Sequence, residues 1–278
     1  MMNGLIVLGT ASDSGKSMIC TALCRILADE QVQVAPFKSQ NLSPFTVTLE
    51  NGIEISRAQY IQALAARTKP TLYMNPIMLK PSSPMHTEVS ILGGHFGVRD
   101  GFAYRDMFFD QAVGAIRHSL KKLSEKYETV IIEGAGSPAE VNLNDREVVN
   151  MRVAEMADVP ALLLADIDRG GAIASIVGTL QLLAPEHRAR VKGIIVNKFH
   201  GDIAFFQDGI EFIESYTGIP VVGVIPFKED HGIEEEDMDR PVSNSPAHID
   251  RYDAWAEHVK CHLNWPLVKE IIAQGVSR

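Results

Sequence analysis

The fold of this chain is decided by the stretch GLIVLGTASDSGKS at residues 4–17. Residues 5–8 are apolar and predict a short buried strand, and residues 18–28 are apolar at helical spacing. The loop between them ends in Gly-Lys-Ser, as a phosphate-binding loop does, although its two glycines are one residue further apart than in the commonest form. A strand, a glycine loop and a helix in this order predict a phosphate-binding site at the start of the helix.

A phosphate loop works through its backbone and two side chains. Successive N–H groups and the positive end of the following helix face the phosphates. Lys16 would reach the β- and γ-phosphates, and the Ser17 hydroxyl would bind Mg²⁺. An ordinary glycine turn gives no reason for a lysine and a serine at the helix start. The residues predicted to hold the nucleotide are Gly9, Thr10, Asp13, Ser14, Gly15, Lys16, Ser17 and Met18.

Apolar strands alternate with helices along the rest of the chain. Further strands are predicted over residues 32–37, 129–132, 161–165, 193–196 and 221–225, and helices over 55–67, 104–127, 173–183 and 205–217. Residues 70–101 have the composition of a loop with short strands. This alternation predicts an α/β fold of the P-loop NTPase type, with a mostly parallel sheet, helices on both of its faces and a short helical C-terminal tail.

The length of 278 residues suits one large α/β domain with a small appendage. After an acidic run at 234–237, prolines and serines give the chain the composition of a linker. We therefore predict a nucleotide-binding domain over residues 1–237, a linker over 238–250 and a helical tail over 251–278.

Composition narrows the classes of partner and compartment. The net charge of −9 disfavours generic nucleic-acid binding, which depends on Lys and Arg neutralising phosphates. Three cysteines do not suggest a disulfide framework and favour a reducing compartment. The sequence shows no signal peptide and no apolar run near the ~20 residues that span a bilayer. The expectation is a cytoplasmic protein with no membrane partner.

Polar residues follow the predicted strands at their carboxyl ends. Lys38, Glu133, Asp166 and Asn197 each come directly after a strand, and the carboxyl ends of parallel strands form one edge where ligands bind. One pocket could collect them all.

Each of these residues also has a plainer interpretation. Glu133, which precedes Gly-Ala-Gly, is either a Mg²⁺ ligand beside the phosphates or an exposed acid at the end of a strand. Asp166 and Asp168 suit a second metal ligand, a water-positioning group or a helix cap. Lys38 either steadies a transferring phosphoryl group or is a surface lysine. Asn197 could contact a nucleobase, but alone it is a weak signal.

Histidine and cysteine pairs at helical spacing give weaker signals. His258 and His262 would share a helix face, yet no third ligand is near, so a solvated helix face is preferred over a metal site. Cys20 and Cys24 lie in an apolar helix pattern and are interpreted as core residues.

Eight segments together resemble one known family. They are GTASDSGKS (9–17), APFKSQN (35–41), EISRAQ (54–59), MNPIMLKP (74–81), EGAGSPAE (133–140), NMR (150–152), ADIDRGG (165–171) and VNKF (196–199). In this order they resemble the synthetase domain of cobyric acid synthases, over roughly residues 4–237. The wider fold group is that of dethiobiotin synthetase and the cobyrinic acid diamide synthases.

The resemblance implies ATP-dependent amidation of carboxylates on a corrinoid ring, in cobalamin biosynthesis. ATP would activate a carboxylate as an acyl phosphate, and ammonia would displace the phosphate. Lys16, Lys38 and Glu133 would be catalytic, and Asn197 would contact adenine. The implied metal ligands are Ser17 and Glu133, with Asp166 added from its strand-end position. The substrate side would include Gln40, Asn41, Arg57, Asp168 and Arg169.

The sequence departs from this family in one respect. Its members usually continue into a glutamine amidotransferase domain, whereas here linker composition follows residue 237. Cys261 lacks the glycine setting of a nucleophile elbow. The expectation is that ammonia comes from a separate glutaminase or from solution. The fold group also often forms homodimers.

Two other function classes stay open at this stage. A nucleotide switch of the partition-ATPase type shares this fold, but Ala11 stands where those proteins carry a signature lysine. A regulator that binds ATP and a corrinoid without turnover would not need Lys16, Ser17 and Glu133 intact.

Overall fold

The computed structural model describes residues 3–83, 86–141, 146–233 and 246–275. Its strands are β1 (Asn3–Gly9), β2 (Val34–Phe37), β3 (Gln40–Leu42), β4 (Thr46–Thr48), β5 (Glu54–Ser56), β6 (Ile77–Ser83), β7 (His86–Ile91), β8 (Gly94–Asp100), β9 (Thr129–Glu133), β10 (Ala161–Asp166), β11 (Val191–Phe199) and β12 (Val221–Pro226). Its helices are α1 (Lys16–Asp29), α2 (Arg57–Ala65), α3 (Gly101–Ser124), α4 (Met151–Ala157), α5 (Ala172–Leu182), α6 (Pro185–Arg188), α7 (Gln207–Thr217), α8 (Pro246–Cys261) and α9 (Trp265–Gln274).

The central sheet is parallel and has the order β12-β11-β10-β1-β9-β2. Alternate side chains of β1 point to opposite faces. Leu5 and Val7 pack with α1, α2, α8 and α9, whereas Ile6 and Leu8 pack with α3, α4, α5 and α7. Both faces are therefore covered, which explains why the strand is apolar at consecutive positions. The predicted α/β fold is confirmed.

The register of the two central strands positions the phosphate loop. Val7 of β1 pairs with Glu133 at the end of β9, two residues before the loop begins at Gly9. The strand on the other side, β10, pairs Leu164 with Gly9. The loop thus leaves the sheet between the ends of two neighbouring strands, as expected for a ligand site at this edge.

A second, smaller sheet has the order β3-β6-β7-β8, and β4 pairs with β5. Residues 70–101, predicted as loop with short strands, contain the strands β6 to β8, each six or seven residues long. The helix predicted from residue 55 begins at Arg57, because Ser56 caps it by accepting from the Gln59 N–H. The strands β3 to β5 and the helices α4 and α6 were not predicted.

The tail helices α8 and α9 pack against the helices and strands of the central sheet. Trp255, Val259 and Val268 share a buried cluster with Leu5 and Val7 of β1. Residues 238–245 of the predicted linker lie outside the described residues, and α8 begins at Pro246, within the range predicted as linker. No described helix is both long and apolar enough to cross a lipid bilayer.

Charged contacts join the tail to α1. Arg25 of α1 is almost fully buried, and its Nε donates to Asp253 of α8 at 2.5 Å. Glu30, just after α1, accepts from the Trp265 indole at 2.6 Å and from Lys260 at 3.1 Å. A buried guanidinium requires such partners, because an unpaired buried charge is costly.

Asp253→Asn tests this docking. Removing the carboxylate leaves Arg25 with only the more distant Asp29, at 3.4 Å, so the free energy of unfolding should fall by about 1–3 kcal/mol. Urea denaturation of the variant beside the exposed Asp250→Asn on the same helix measures the difference. Equal midpoints for both variants would show that the tail is not held by this pair.

Candidate functional site

A cavity of about 830 Å³ opens at the carboxyl edge of the central sheet. The phosphate loop, the ends of β9 and β11 and the segment after β2 contribute to its wall. Its lining includes Ser12, Asp13, Gly15, Lys16, Ser17, Met18, Lys38, Gln40, Asn41, Glu133, Asp168, Asn197 and Lys198. The structure therefore brings most of the predicted site residues to one place.

The backbone of the phosphate loop requires glycine at one position. Gly15 has φ +95°, and a Cβ there would lie 2.3 Å from the Asn197 amide nitrogen. That amide donates to the Ser14 carbonyl at 2.9 Å, and Lys198 donates to the Asp13 carbonyl at 2.8 Å. The two side chains at the end of β11 thus fix the backbone conformation of the loop. In this structure the Asn197 amide N–H is hydrogen-bonded to the loop. Contact of Asn197 with adenine stays a prediction.

Lys16 lies across the mouth of the loop. Its ammonium donates to the carbonyl oxygens of Ala11 at 3.0 Å and Gly136 at 3.2 Å. The side chain is buried, and this burial lowers the pKa of Lys16, although the charge of Glu133 opposes the shift. Because both partners are neutral carbonyls, the site offers a cation where phosphates would enter.

Glu133 accepts hydrogen bonds from four side chains of the site. Its Oε1 accepts from the Ser17 hydroxyl and from the Lys38 ammonium, each at 2.8 Å. Its Oε2 accepts from the amides of Gln62 at 2.5 Å and Gln59 at 3.3 Å. Burial raises the pKa of Glu133, but the charge of Lys38 and these hydrogen bonds outweigh it and hold the pKa below its usual range. The carboxylate is therefore ionised at neutral pH.

Gln59 and Gln62 are functional-site residues that sequence reasoning missed. Both lie on α2 and are fully buried. They are three residues apart and therefore share a helix face. This spacing was the signal available in the sequence, because two amides buried on one face require polar partners.

Asn150 is a second residue whose role was missed. Its side chain accepts from the Ala135 N–H at 3.0 Å and donates to the Ala135 carbonyl at 2.7 Å. Gly134 makes this approach possible, because a Cβ there would lie 2.4 Å from the Asn150 oxygen. Asn150 thereby fixes the turn that follows Glu133.

Asp166 and Asp168 occupy different surroundings from Glu133. Asp166 accepts from Lys198 Nζ at 2.7 Å and, through its other oxygen, from the Asp168 N–H at 2.9 Å. Asp166 thus stabilises the turn after β10, and neither aspartate caps α5, whose N-cap is Gly171. A metal role for Asp166 stays a prediction. Asp168 lines the cavity and pairs with His200 at 3.0 Å. Arg169 is exposed and is absent from the cavity lining.

The remaining predicted residues divide between the cavity and its supports. Gln40 and Asn41 line the cavity, whereas Arg57 is buried at the start of α2. The Thr10 hydroxyl contacts Ser175 at 3.3 Å. Gly9 leaves room for neighbouring groups, since a Cβ there would lie 2.4 Å from the Ser14 hydroxyl.

The histidine and cysteine pairs of the sequence take structural roles. His258 lies 3.1 Å from the Pro226 carbonyl, and His262 donates to the His258 carbonyl at 2.7 Å. Cys20 and Cys24 are buried in the core, as predicted. Over the residues that the structure describes, no group of three His, Cys, Asp or Glu side chains is placed to hold a metal ion.

The chain is similar to several known proteins. The model of the AAA domain family matches residues 3–234. A cobyric acid synthase of Geobacillus kaustophilus is 52% identical over 82% of this chain and 46% of its own length, and one of Desulforamulus reducens is 48% identical over 84% and 46%. The chain spans about half the length of the curated relatives it matches. Among solved structures, FtsY from Elizabethkingia anophelis has a TM-score of 0.49 and 13% identity, over 92% of this chain and 66% of that one.

The buried pair of Glu133 and Lys38 leads to a stability prediction. Glu133→Gln removes the buried negative charge that pairs with Lys38 and lies near Lys16, so the free energy of unfolding at pH 7 should fall by about 3 kcal/mol or more. Adding Lys38→Met should recover part of the loss.

The effect of pH on this difference has a definite sign. The folded-state pKa of Glu133 lies below the unfolded value, which is about 4.3. Its contribution is therefore fully present above that value and is lost as pH falls through the folded pKa. Denaturation of parent and Glu133→Gln should show a constant gap from pH 5 to 7 that narrows in stronger acid (~pH 4 and below). A gap that widened on acidification would contradict the assignment.

Proposed function

The chain belongs to the AAA domain family, and we propose that it is the ATP-binding part of a ligase that forms amides on a corrinoid. The observation that supports this most is the buried carboxylate of Glu133, which accepts from Ser17 and Lys38 beside the loop that carries Lys16. Relatives about half identical to the chain are cobyric acid synthases, which indicates carboxylates of a corrinoid as the acceptor.

The loop fits a triphosphate. Ser14 has a fully buried hydroxyl with no hydrogen-bond partner among the described residues, which is typical of a site that an anion completes. Lys16 supplies a cation, and the N–H groups at the start of α1 supply further donors. ATP is the nucleotide we propose.

The neighbouring oxygens fit Mg²⁺. The Ser17 hydroxyl and Glu133 Oε1 are 2.8 Å apart, and hydroxyl and carboxylate oxygens are ligands that Mg²⁺ prefers. When bound, the ion would neutralise phosphate charge and polarise the transferring group. Asp166 would join only through a rearrangement of its contact with Lys198, so we place it outside the proposed ligand set.

Lys38 is proposed to act in the transfer of the γ-phosphoryl group. It lies after β2, next to Gln40 and Asn41, and is buried beside Glu133. An oxygen of the acceptor carboxylate would attack the γ-phosphorus, and ADP would leave. The fixed charges of Lys38 and Lys16 would stabilise the negative charge that develops on the phosphoryl oxygens.

The resulting acyl phosphate would then react with ammonia. Nitrogen attacks the acyl carbon, phosphate departs, and nitrogen loses a proton to give the amide. Gln40 and Asn41 line the cavity beside Lys38 and are proposed to orient the acceptor. The exposed Leu42, which also lines the cavity, offers apolar surface to a large macrocycle. Arg57, Asp168 and Arg169 remain looser substrate candidates, and a homodimer remains a prediction.

Ammonia is proposed to come from outside the described residues. Cys20 and Cys24 are fully buried, and burial raises the pKa of both thiols. Cys261 is exposed, but its hydrogen bond to Glu257 raises its pKa, so the thiolate needed for glutamine attack is disfavoured. A separate glutaminase is the partner that would supply nitrogen in trans.

The test of function is ADP formation with ATP, Mg²⁺, ammonium and cobyrinic acid a,c-diamide. We expect turnover that depends on the corrinoid, and a loss of ~100-fold or more in Lys16→Ala, because a phosphate-facing charge is removed. Lys121→Ala, exposed on α3, is the matched control and should match the parent. ATP hydrolysis independent of the corrinoid would favour a partition-type switch, and binding without turnover would favour a regulator.

The nitrogen source gives a separate prediction. Ammonium salt should support amidation and glutamine should not, and the rate should rise with pH because only unprotonated ammonia is nucleophilic. Product amide measured with each donor decides the point. Efficient use of glutamine that vanished in Cys261→Ser would overturn the proposed external source.

A further inference from the structure

The cavity has two chemically different ends. Lys38, Gln40 and Asn41 line one end and are polar. The other end, where Trp255 contacts Met18, is lined by Pro226, Phe227, His231, Ile233 and Trp255, which are aromatic or apolar, and by Lys228. Trp255 belongs to α8, whereas the family match ends at residue 234.

Trp255 is held rigidly where it meets the cavity. The residue is 5% exposed, and its Nε1–H donates to the Met18 carbonyl at 2.9 Å. One side of its indole stacks on His258 at a centroid distance of 5.3 Å and an angle of 25°. His258 in turn contacts the Pro226 carbonyl, and the His231 ring lies 5.8 Å from the indole. The indole therefore forms a fixed wall.

The same tail segment is tied to the helix that starts at the phosphate loop. Asp253, two residues before Trp255, pairs with Arg25 of α1, and Trp265 donates to Glu30. Met18 itself lies in the first turn of α1. The wall and the loop are thus parts of one rigid unit, and their spacing is set before a ligand arrives.

We propose that Trp255 forms the wall of the nucleobase end of the nucleotide site, so that the tail completes this site. The proposal rests on the ATP binding proposed above. Lys16 and Ser17 fix the phosphates at the loop, which leaves the base to extend past Met18 toward the aromatic end. Aromatic surfaces bind the planar face of a base through stacking and apolar contact.

The test compares two ligands and two tryptophans. Trp255→Leu should raise the Kd for ATP–Mg²⁺ about fivefold or more, because the loss of an aromatic contact to a base costs about 1–3 kcal/mol. The Kd for inorganic triphosphate, which has no base, should stay unchanged. Trp265→Leu is the matched control, because Trp265 is equally buried and ties the tail to α1 but does not line the cavity, so any loosening of the tail that it causes should change both constants equally. Calorimetry measures all four combinations.

Fluorescence gives a second measurement that does not depend on the Trp255 substitution. The chain has two tryptophans, so the emission of Trp265→Leu reports Trp255 alone. ATP should shift this emission, and triphosphate should not.

Three results would overturn the proposal in distinguishable ways. Equal ATP affinity in Trp255→Leu and parent, with unchanged emission, would show that Trp255 does not contact the base. The proposed function would still stand. An equal loss for ATP and triphosphate would show that Trp255 acts only through Met18 and the loop. A parent that binds neither ligand would overturn the proposed function as well.

Discussion

The site depends on one buried carboxylate at the end of a central strand. Glu133 has four side-chain donors, from Ser17 and Lys38 on one oxygen and Gln59 and Gln62 on the other. An ionised group in this position is stable only because those donors and the charge of Lys38 offset its desolvation. The phosphate loop, the segment after β2 and helix α2 must all be in place for this balance, so Glu133 links the fold to the chemistry.

The surrounding fold brings these donors together with little freedom. The pairing of Val7 with Glu133 places the loop beside the carboxylate. Asn197 holds the loop in a conformation that requires glycine at position 15. The tail adds a second constraint, because α8 packs on α1 and its Trp255 meets the loop helix at Met18. A preorganised site of this kind avoids the cost of ordering its groups when a ligand binds.

The sequence predicts those parts of the site that are local in the chain. The strand, loop and helix at residues 4–28 carry their own signals, and Glu133 was identified because it ends a strand. Gln59 and Gln62 were missed because their partner lies more than seventy positions away, and only tertiary packing brings α2 to it. A carboxylate after a strand has the same sequence pattern whether it binds a metal or forms a turn, so the sequence alone does not distinguish these two roles for Asp166. The position of Trp255 depends on how the tail docks, and no local pattern encodes that.

The most direct test is the Mg²⁺ dependence of ATP binding in the parent and in Glu133→Gln, which keeps the shape of the side chain and removes its charge. If Glu133 and Ser17 together form the cation site, the Mg²⁺ concentration for half-maximal ATP affinity should rise about tenfold or more in the variant. Affinity for ATP without Mg²⁺ should fall much less than this or even increase, since a negative charge near the phosphates has been removed. Superimposable Mg²⁺ titrations of parent and variant would contradict the account and leave Glu133 with a purely structural role.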